Sequence, residues 1–363
     1  MVEGDRLVVA FDVGATNTRA RAAFLTREGL RPHTLLGDGV SEQVSSRERL
    51  YDFVWRILDS LREGERVVGA AFAAAGPVQD HARVTMTNWM ETRPILLEEL
   101  ADLGLPRAAT ALMNDLEAGA LGLLAMIEAE GPRPKGTEVL HDPPVLRRGG
   151  HFVFVAPGTG LGAAGIVEAG DGGGEGPCSR VVVPCEVQHT LLPPIDEEIG
   201  RVAERIAKDS RRDWVSWEDV VSGRGLLDAY AALCSLSGLV PIVSAVPEAG
   251  QEESAHVSAI AQAAVSGEDT MCAEAMDIYY RCLGAFCQSL ALTFLPCAGV
   301  YVGGDTTRRN RDFLVGSGLL QTFLANPVHG GMLEAVPVRL VLRETNLAGG
   351  LRRAEEMARV SPA

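Results

Sequence analysis

The segment FDVGATNTRA, residues 11–20, places a carboxylate at the end of an apolar run that reads as a buried strand. Gly14 leaves room for close backbone approach, and the hydroxyls of Thr16 and Thr18 can donate hydrogen bonds to phosphate oxygens. Mg²⁺ prefers oxygen ligands and usually keeps several waters while it bridges a protein carboxylate to substrate phosphates. Asp12 is therefore a candidate magnesium ligand, directly or through water.

A second turn of the same kind follows the apolar run HFVFVA. In the segment APGTGLG, residues 156–162, the glycines at 158, 160 and 162 expose backbone N–H groups suited to phosphate oxygens. Either turn alone would more often be a plain hairpin, with Asp12 as a turn cap. Because both occur in the same order in the two halves of the chain, the pair favours phosphate binding.

Strands and helices alternate along the chain and would position these turns. The predicted strands and helices of the first half are strands 7–11, 20–25 and 34–37, helix 47–62, strand 67–73, helix 97–103, strand 109–113 and a helix opening after Asn114 and Asp115. The order then repeats weakly, with strands 151–156, 163–169, 180–184 and 299–304, an apolar helical region 271–295 and a last helix 347–359. Residues 130–150, rich in Pro, Gly and charge, predict a loop near a domain junction.

This pattern predicts a two-domain α/β fold. The smaller domain is expected to cover residues 1–112 and to be completed by the helix 346–363, and the larger domain to cover residues 113–345. The apolar region 271–295 is predicted to lie in the core between the domains. Ligands are expected in the cleft between the domains.

Composition narrows the class of protein. The 363 residues carry 33 Lys and Arg against 48 Asp and Glu, a formal charge of −15, and no basic run long enough to follow a nucleic-acid backbone. The seven cysteines form no CxxC pair, which argues against a zinc site and favours a reducing compartment. The first residues lack the features of a signal peptide, and no run of about 20 apolar residues suggests a membrane span. We expect a cytoplasmic enzyme of small molecules, without nucleic-acid or membrane partners.

Seven segments together resemble the bacterial-type glucokinases, within the clan of sugar kinases, actin and the seventy-kilodalton heat-shock ATPases. The segments are DVGATNTR, GPVQDHARVTMTN, MNDLEAGALGLLA, APGTGLG, CEVQH, EDVVSGRGLL and VYVGGD, and the resemblance covers nearly the whole chain, with some similarity to protozoan members. This chain has Gly14-Ala15 where the family has two glycines, Trp89 directly after the TN pair, and Val187-Gln188 where many members have two glycines.

The resemblance implies two duplicated ribonuclease-H-like domains and an ATP-dependent glucokinase that phosphorylates the 6-hydroxyl of glucose, as a homodimer. It implies that Asp115 is the general base, since phosphoryl transfer needs an acceptor for the hydroxyl proton. The implied sugar ligands are Asn114, Asp115, Glu186, His189 and Glu218. The implied ATP-binding residues are Asp12, Gly14, Thr16, Asn17, Gly158, Thr159, Gly160, Gly303 and Gly304, with Mg²⁺ at Asp12.

Other interpretations of the same residues remain open. Asn114 and Asp115 are suited to cap a helix, Glu218 to be a surface helix charge, His189 to be a core histidine, and Gly303-Gly304 to form a plain turn. A kinase for another hexose or amino sugar, or a non-sugar ATPase of the same clan, would share the phosphate loops. A sugar-sensing repressor is disfavoured, because the first strand is predicted to begin at Leu7 and leaves no room ahead of it for a helix-turn-helix domain.

Overall fold

The computed structural model describes residues 5–14, 17–87, 89–146, 149–169, 179–240 and 253–360. The chain divides into two compact units. Unit 1 comprises Met1–Lys135 and Arg343–Ala363, and unit 2 comprises Gly136–Leu342. The mixed α/β class predicted from the sequence is confirmed.

The elements follow one another as strands with intervening helices. The strands are β1 (Arg6–Val13), β2 (Asn17–Thr26), β3 (Gly29–Pro32), β4 (Val40–Gln43), β5 (Arg66–Ala74), β6 (Val78–Gln79), β7 (Arg83–Val84), β8 (Ile95–Leu96), β9 (Thr110–Asn114), β10 (Thr137–His141), β11 (His151–Pro157), β12 (Leu161–Ala169), β13 (Ser179–Cys185), β14 (Cys297–Val302) and β15 (Val338–Val341). The helices are α1 (Arg47–Asp59), α2 (Leu97–Asp102), α3 (Asp115–Glu130), α4 (Glu197–Asp209), α5 (Gly223–Leu236), α6 (Glu253–Ser266), α7 (Thr270–Thr293), α8 (Asp305–Arg309), α9 (Arg311–Gly316), α10 (Leu319–Leu324), α11 (Gly330–Leu333) and α12 (Asn346–Val360). Short 3₁₀ turns cover Arg107–Ala109 and Val187–His189.

The main sheet of unit 1 has the strand order β3-β2-β1-β5-β9, and β4 also pairs with β2. Strands β1, β5 and β9 are parallel, whereas β2 runs antiparallel to β1. Helix α1 buries Leu50, Phe53, Val54 and Ile57, whose three- and four-residue spacing forms one apolar stripe. These side chains join Phe11 and other strand residues in one core.

The sheet of unit 2 has the strand order β10-β15-β14-β11-β12-β13. Strands β11, β14 and β15 are parallel, and β12 and β13 continue the sheet antiparallel. The two sheets share a pairing pattern. In unit 1, β1 pairs antiparallel with β2 on one side and parallel with β5 on the other. In unit 2, β11 pairs in the same way with β12 and β14. Helix α7 contributes fully buried Tyr279, Tyr280 and Phe286 to the core of this unit. The predicted core character of this helix is confirmed, and the helix is part of unit 2.

Two local predictions are wrong. Residues 34–37 form a turn and not a strand, because His33 Nδ1 accepts hydrogen bonds from the backbone N–H groups of Leu35 and Leu36 at 3.3 and 3.1 Å. The segment 130–150, predicted as a loop, contains β10, which pairs antiparallel with the edge of β15. The backbone groups of β10 find their hydrogen-bond partners in β15, which the polar, Pro-rich composition of the segment did not predict.

The division of the chain follows Lys135, not Leu112, because α3 packs against α12 within unit 1. The two helices approach closely at two glycines: a Cβ at Gly122 would overlap the Thr345 carbonyl oxygen, and one at Gly349 would overlap the Ala118 carbonyl oxygen. Only glycine leaves space for this crossing. The helix that begins at Asp115 is therefore fixed to the last helix of the chain.

Six cysteines of the described ranges are free thiols, those at 185, 234, 272, 282, 287 and 297. Among the described residues, no helix combines the length and the apolar character needed to cross a bilayer.

Candidate active site

Asp12 lies near the end of β1, directly opposite Arg19 of β2 in the antiparallel register. Arg19 Nε donates to Asp12 Oδ2 at 2.9 Å, and a second guanidinium nitrogen also bonds to this oxygen. Asn346 Nδ2, at the start of α12, donates to Asp12 Oδ1 at 3.1 Å. Burial alone would lower the pKa of Arg19, but the carboxylates of Asp12 and Glu344 raise it above the usual value. Both oxygens of a carboxylate that is only 5% exposed are thus oriented by fixed donors.

In the first glycine-rich turn, between β1 and β2, the structure describes Gly14 and Asn17. Gly14 N donates to Asn17 O at 3.0 Å and closes the hairpin between β1 and β2. Asn17 is the first residue of β2. Thr16 lies outside the described residues, so its predicted contact with ATP has no structural account.

Asn114 is the N-cap residue of α3. Its Oδ1 accepts from Leu116 N at 2.8 Å, and its Nδ2 donates to Gly76 O at 3.3 Å. The capping interpretation is confirmed for Asn114. Asp115 Oδ1 also accepts from Leu116 N, at 2.9 Å, so the helix start has two side-chain acceptors.

The parallel register places these groups at one edge of the unit 1 sheet. Val13 of β1 pairs with Ala74 of β5, and Ala74 pairs with Asn114 of β9. Two inter-strand spacings separate the ends of β1 and β9 by about 10 Å. Asp12 and Asp115 therefore lie near the same carboxyl edge, where parallel α/β sheets bind ligands.

The carboxylate of Asp12 is a suitable ligand for a magnesium ion that is held partly through water. Within the described ranges, no group of three or more His, Cys, Asp and Glu side chains could hold a metal through protein ligands alone. Mg²⁺ does not need such a group, because it keeps several waters and takes oxygens from substrate phosphates. Oδ2 of Asp12 accepts both hydrogen bonds from Arg19, whereas Oδ1 accepts the bond from Asn346 and retains a second lone-pair direction for a metal-bound water.

In unit 2, the second glycine-rich turn is bonded to a predicted sugar ligand. Gly158 N donates to Gly160 O at 2.7 Å, and exposed Thr159 lies between them. Leu161 N, directly after the turn, donates to Glu218 Oε2 at 2.8 Å. A Cβ at residue 160 would lie 2.6 Å from the same oxygen, so glycine allows the carboxylate to approach the turn. Glu218 precedes α5 and is not a surface helix charge.

Gly303 and Gly304 follow β14 and lie beside the strand that leads into this turn. Gly303 N donates to Val155 O at 2.7 Å. Gly304 has φ +89°, and a Cβ there would overlap the Pro157 carbonyl oxygen. The turn therefore requires glycine for its own conformation.

Glu186, His189 and Glu218 form a connected cluster. His189 Nε2 lies 3.4 Å from Glu186 Oε2, and His189 Nδ1 lies 3.8 Å from Glu218 Oε1. The side chains are 62%, 55% and 32% exposed, respectively. His189 is not a core histidine, and the cluster offers both donors and acceptors to a ligand.

The sequence did not reveal two residues that hold this cluster. Gln188 Nε2 donates to Glu186 Oε2 at 2.6 Å. Asp219 Oδ2 accepts from Ser216 N and Oγ at 2.7 and 2.8 Å, and Arg212 donates to both of its oxygens. The spacing Ser-x-x-Asp was the available signal for this second arrangement.

The bonds to Asp219 also change its acidity. Burial raises the pKa of this carboxyl group, but the hydrogen bonds from Arg212 and Ser216 outweigh burial and lower the pKa below its usual value. The turn that carries Glu218 is therefore fixed by an ionised side chain at neutral pH.

Glycine-rich turns at strand ends, a buried carboxylate and a partly exposed cluster of two carboxylates and an imidazole are the groups that an α/β kinase of small polyhydroxylated substrates needs. The family model for Glucokinase matches residues 9–357. The chain belongs to the glucokinase family and is a sugar kinase, and the predicted resemblance is confirmed.

Individual relatives agree with this assignment. The chain is 29% identical to a glucokinase of Nitrobacter hamburgensis over 85% of this chain and 87% of the relative. The fold is similar to glucokinase of Balamuthia mandrillaris in complex with glucose, with a TM-score of 0.78 and 23% identity over 97% and 94% of the two chains. It is also similar to Leishmania braziliensis glucokinase, with a TM-score of 0.75 and 22% identity over 97% and 93%.

Proposed function

We propose that this protein transfers the γ-phosphoryl group of ATP to the 6-hydroxyl of glucose. The observation that carries the proposal is the bond between Leu161 N and Glu218 Oε2, which joins the glycine-rich turn to the Glu186, His189 and Glu218 cluster within unit 2. A kinase must hold a phosphate donor and a hydroxyl acceptor in one arrangement. Membership of the glucokinase family supports glucose as the acceptor.

Asp115 is proposed as the general base that accepts the proton of the 6-hydroxyl. It begins α3 at the carboxyl edge of the unit 1 sheet, where Asn114 already caps the helix. Asn114 Nδ2 uses one hydrogen for Gly76 O and keeps a second that can bind a sugar oxygen. Glu186, His189 and Glu218 are proposed to bind further hydroxyl groups.

Asp12 is proposed to hold Mg²⁺ through water, and Arg19 and Asn346 keep its carboxylate in place. The bound metal would neutralise charge on the phosphates of ATP. The remaining proposed ATP contacts lie in the glycine-rich turns of both units: Gly14, Thr16, Asn17, Gly158, Thr159, Gly160, Gly303 and Gly304.

Three wider properties are part of the proposal. The shared strand order of the two sheets supports a duplicated ribonuclease-H-like architecture. We expect the enzyme to be cytoplasmic. We also expect it to act as a homodimer, and analytical ultracentrifugation of the purified chain would test this oligomeric state.

The function is tested by measuring ADP release over a panel of hexoses and amino sugars, with ATP, ADP and polyphosphate as alternative donors. Glucose with ATP and Mg²⁺ should give the highest kcat/KM, and the product should be glucose 6-phosphate. ATP hydrolysis that is independent of every sugar would instead identify a non-sugar ATPase. A higher kcat/KM for another hexose or an amino sugar would reassign the acceptor.

A further inference from the structure

Gln188 connects the two glutamates of the proposed sugar site, Glu186 and Glu218. Its Nε2 donates to Glu186 Oε2 at 2.6 Å, and its main-chain carbonyl accepts from Glu218 N at 3.1 Å. Gln188 is only 6% exposed, although the side chains of its neighbours Glu186 and His189 are more than half exposed. A buried amide thus supports an exposed carboxylate.

The orientation of the Gln188 amide is fixed by Glu186. A carboxylate only accepts hydrogen bonds, so the reversed amide would place two acceptor oxygens against each other. In the observed orientation, Gln188 Oε1 is buried and accepts no hydrogen bond from the residues that the structure describes. A buried oxygen without a donor is unfavourable for stability. A glutamine at position 188 is therefore better explained by its bond to Glu186 than by a contribution to the stability of the fold.

The two oxygens of Glu186 are not equivalent. Oε2 accepts from Gln188 and also lies 3.4 Å from His189 Nε2. For Oε1, no hydrogen bond to another described residue is observed, and the side chain is 62% exposed. An incoming hydroxyl group therefore meets Oε1 and is directed away from Oε2.

We infer that Gln188 is a positioning residue that holds Glu186 so that Oε1 alone accepts the hydrogen of a single sugar hydroxyl. The inference rests on the proposed function, because it takes Glu186 to be a sugar ligand. It adds a residue that the family pattern does not supply, since many members have glycine at this position. It also assigns a one-oxygen contact with one hydroxyl, in place of a two-oxygen contact with neighbouring hydroxyls.

The first test is Gln188→Met, which keeps an unbranched side chain of similar length but removes the donor and the buried acceptor. Glucose binding, measured by calorimetry without nucleotide, should weaken about five- to thirtyfold. At saturating glucose, kcat should stay within about twofold of wild type. The midpoint of thermal unfolding should be equal to or above that of wild type, because a buried unpaired oxygen is removed. A lower midpoint with unchanged glucose affinity would show a structural role and overturn the inference.

The second test identifies the hydroxyl by a double-substitution cycle between residue 188 and the sugar. The dissociation constants of 1-, 2-, 3- and 4-deoxyglucose are compared in wild type and in Gln188→Met. One analogue, which lacks the hydroxyl bound by Glu186, should bind both proteins equally, whereas the other three keep the ratio seen with glucose. The same ratio for all four analogues, or loss of the ratio for two of them, would contradict a single contact.

Gln288→Met is a matched control. Gln288 Nε2 donates to Thr322 O and Phe323 O at 3.0 and 2.9 Å, and its Oε1 accepts from Asn326 at 3.0 Å. This variant should unfold at a lower temperature but bind glucose as wild type does. If Gln188→Met does not fold, Gln188→Asn retains the amide on a side chain too short for the bond to Glu186, and the same loss of affinity is expected.

Measurements on the wild-type protein distinguish failure of the proposed function from failure of the inference on Gln188. Wild-type protein that neither binds nor phosphorylates glucose would overturn the proposed function and this inference together. Wild-type protein that binds glucose, with Gln188 variants that bind it equally well, would overturn the inference and leave the proposed function intact.

Discussion

Asp115→Asn separates the two roles that the start of α3 can have. Wild-type α3 has two acceptors for Leu116 N, Asn114 Oδ1 at 2.8 Å and Asp115 Oδ1 at 2.9 Å. The substitution leaves the Asn114 cap in place and supplies another amide oxygen at 115. It removes one negative charge from the first helical turn, which is worth about 0.3–1 kcal/mol of stability.

The expected effect on catalysis is much larger. An amide cannot accept the hydroxyl proton, so kcat should fall by about 10²–10⁴, which corresponds to about 3–5 kcal/mol of transition-state stabilisation. Glucose should still raise the temperature of unfolding of the variant, because binding to the native state stabilises it. The assays are coupled ADP release at saturating glucose and ATP, and thermal unfolding with and without glucose.

Asn114→Ala is the companion variant, because it removes the cap and keeps the carboxylate. It should lower the free energy of unfolding by about 1–2 kcal/mol through loss of the capping bond and of the bond to Gly76 O. If Asp115→Asn retains more than about a tenth of wild-type turnover, the general-base assignment is refuted, since the loss would be below the range of general-base catalysis.

Three further results are expected. Gly349→Ala should destabilise the protein by about 1–3 kcal/mol in urea unfolding, because the added methyl group overlaps the Ala118 carbonyl oxygen; unchanged stability would mean that the helix crossing relaxes freely. Asn346→Ala should weaken Mg·ATP binding in calorimetry by about three- to tenfold and leave glucose binding unchanged, because only Asp12 loses a donor; an equal loss for both ligands would contradict this. Asp219→Asn should lower stability at pH 7, and the difference from wild type should shrink as the pH falls below the usual pKa of an aspartate and through the lowered pKa of this carboxyl group, where the wild type loses the same interaction; a difference that stays constant over this whole range would refute the ion-pair account.

Local sequence patterns predicted the elements whose structure depends on burial. The apolar runs gave β1, β5, β9, β11 and β14, and the three- and four-residue spacing gave α1. The errors arose where a side chain or a distant strand decided the structure. His33 turns residues 34–37 through bonds to the following backbone, and β10 exists because β15, nearly 200 residues later, provides its partner.

The residues of the candidate site also fall into those that local sequence patterns indicate and those that depend on distant parts of the chain. Asp12, Glu186, His189 and Glu218 could be proposed from the sequence because motifs contain them. Asn346 could not, since its bond to Asp12 joins residues 334 positions apart. In the sequence, Gln188 is only a departure from the glycine pair of many family members, and its burial between two exposed neighbours depends on the 3₁₀ turn at Val187–His189.

The return of the chain to unit 1 has a consequence for biosynthesis. Residues of unit 2 are contiguous, whereas unit 1 needs α12, which packs on α3, β1 and β5 and is synthesised after all of unit 2. Domains generally fold as they are synthesised, amino-terminal ones first. In this protein that order is reversed: unit 2 can complete its fold while the first 135 residues still await their final helix. Until then the apolar surface that α12 covers on α3, β1 and β5 is exposed in the nascent chain.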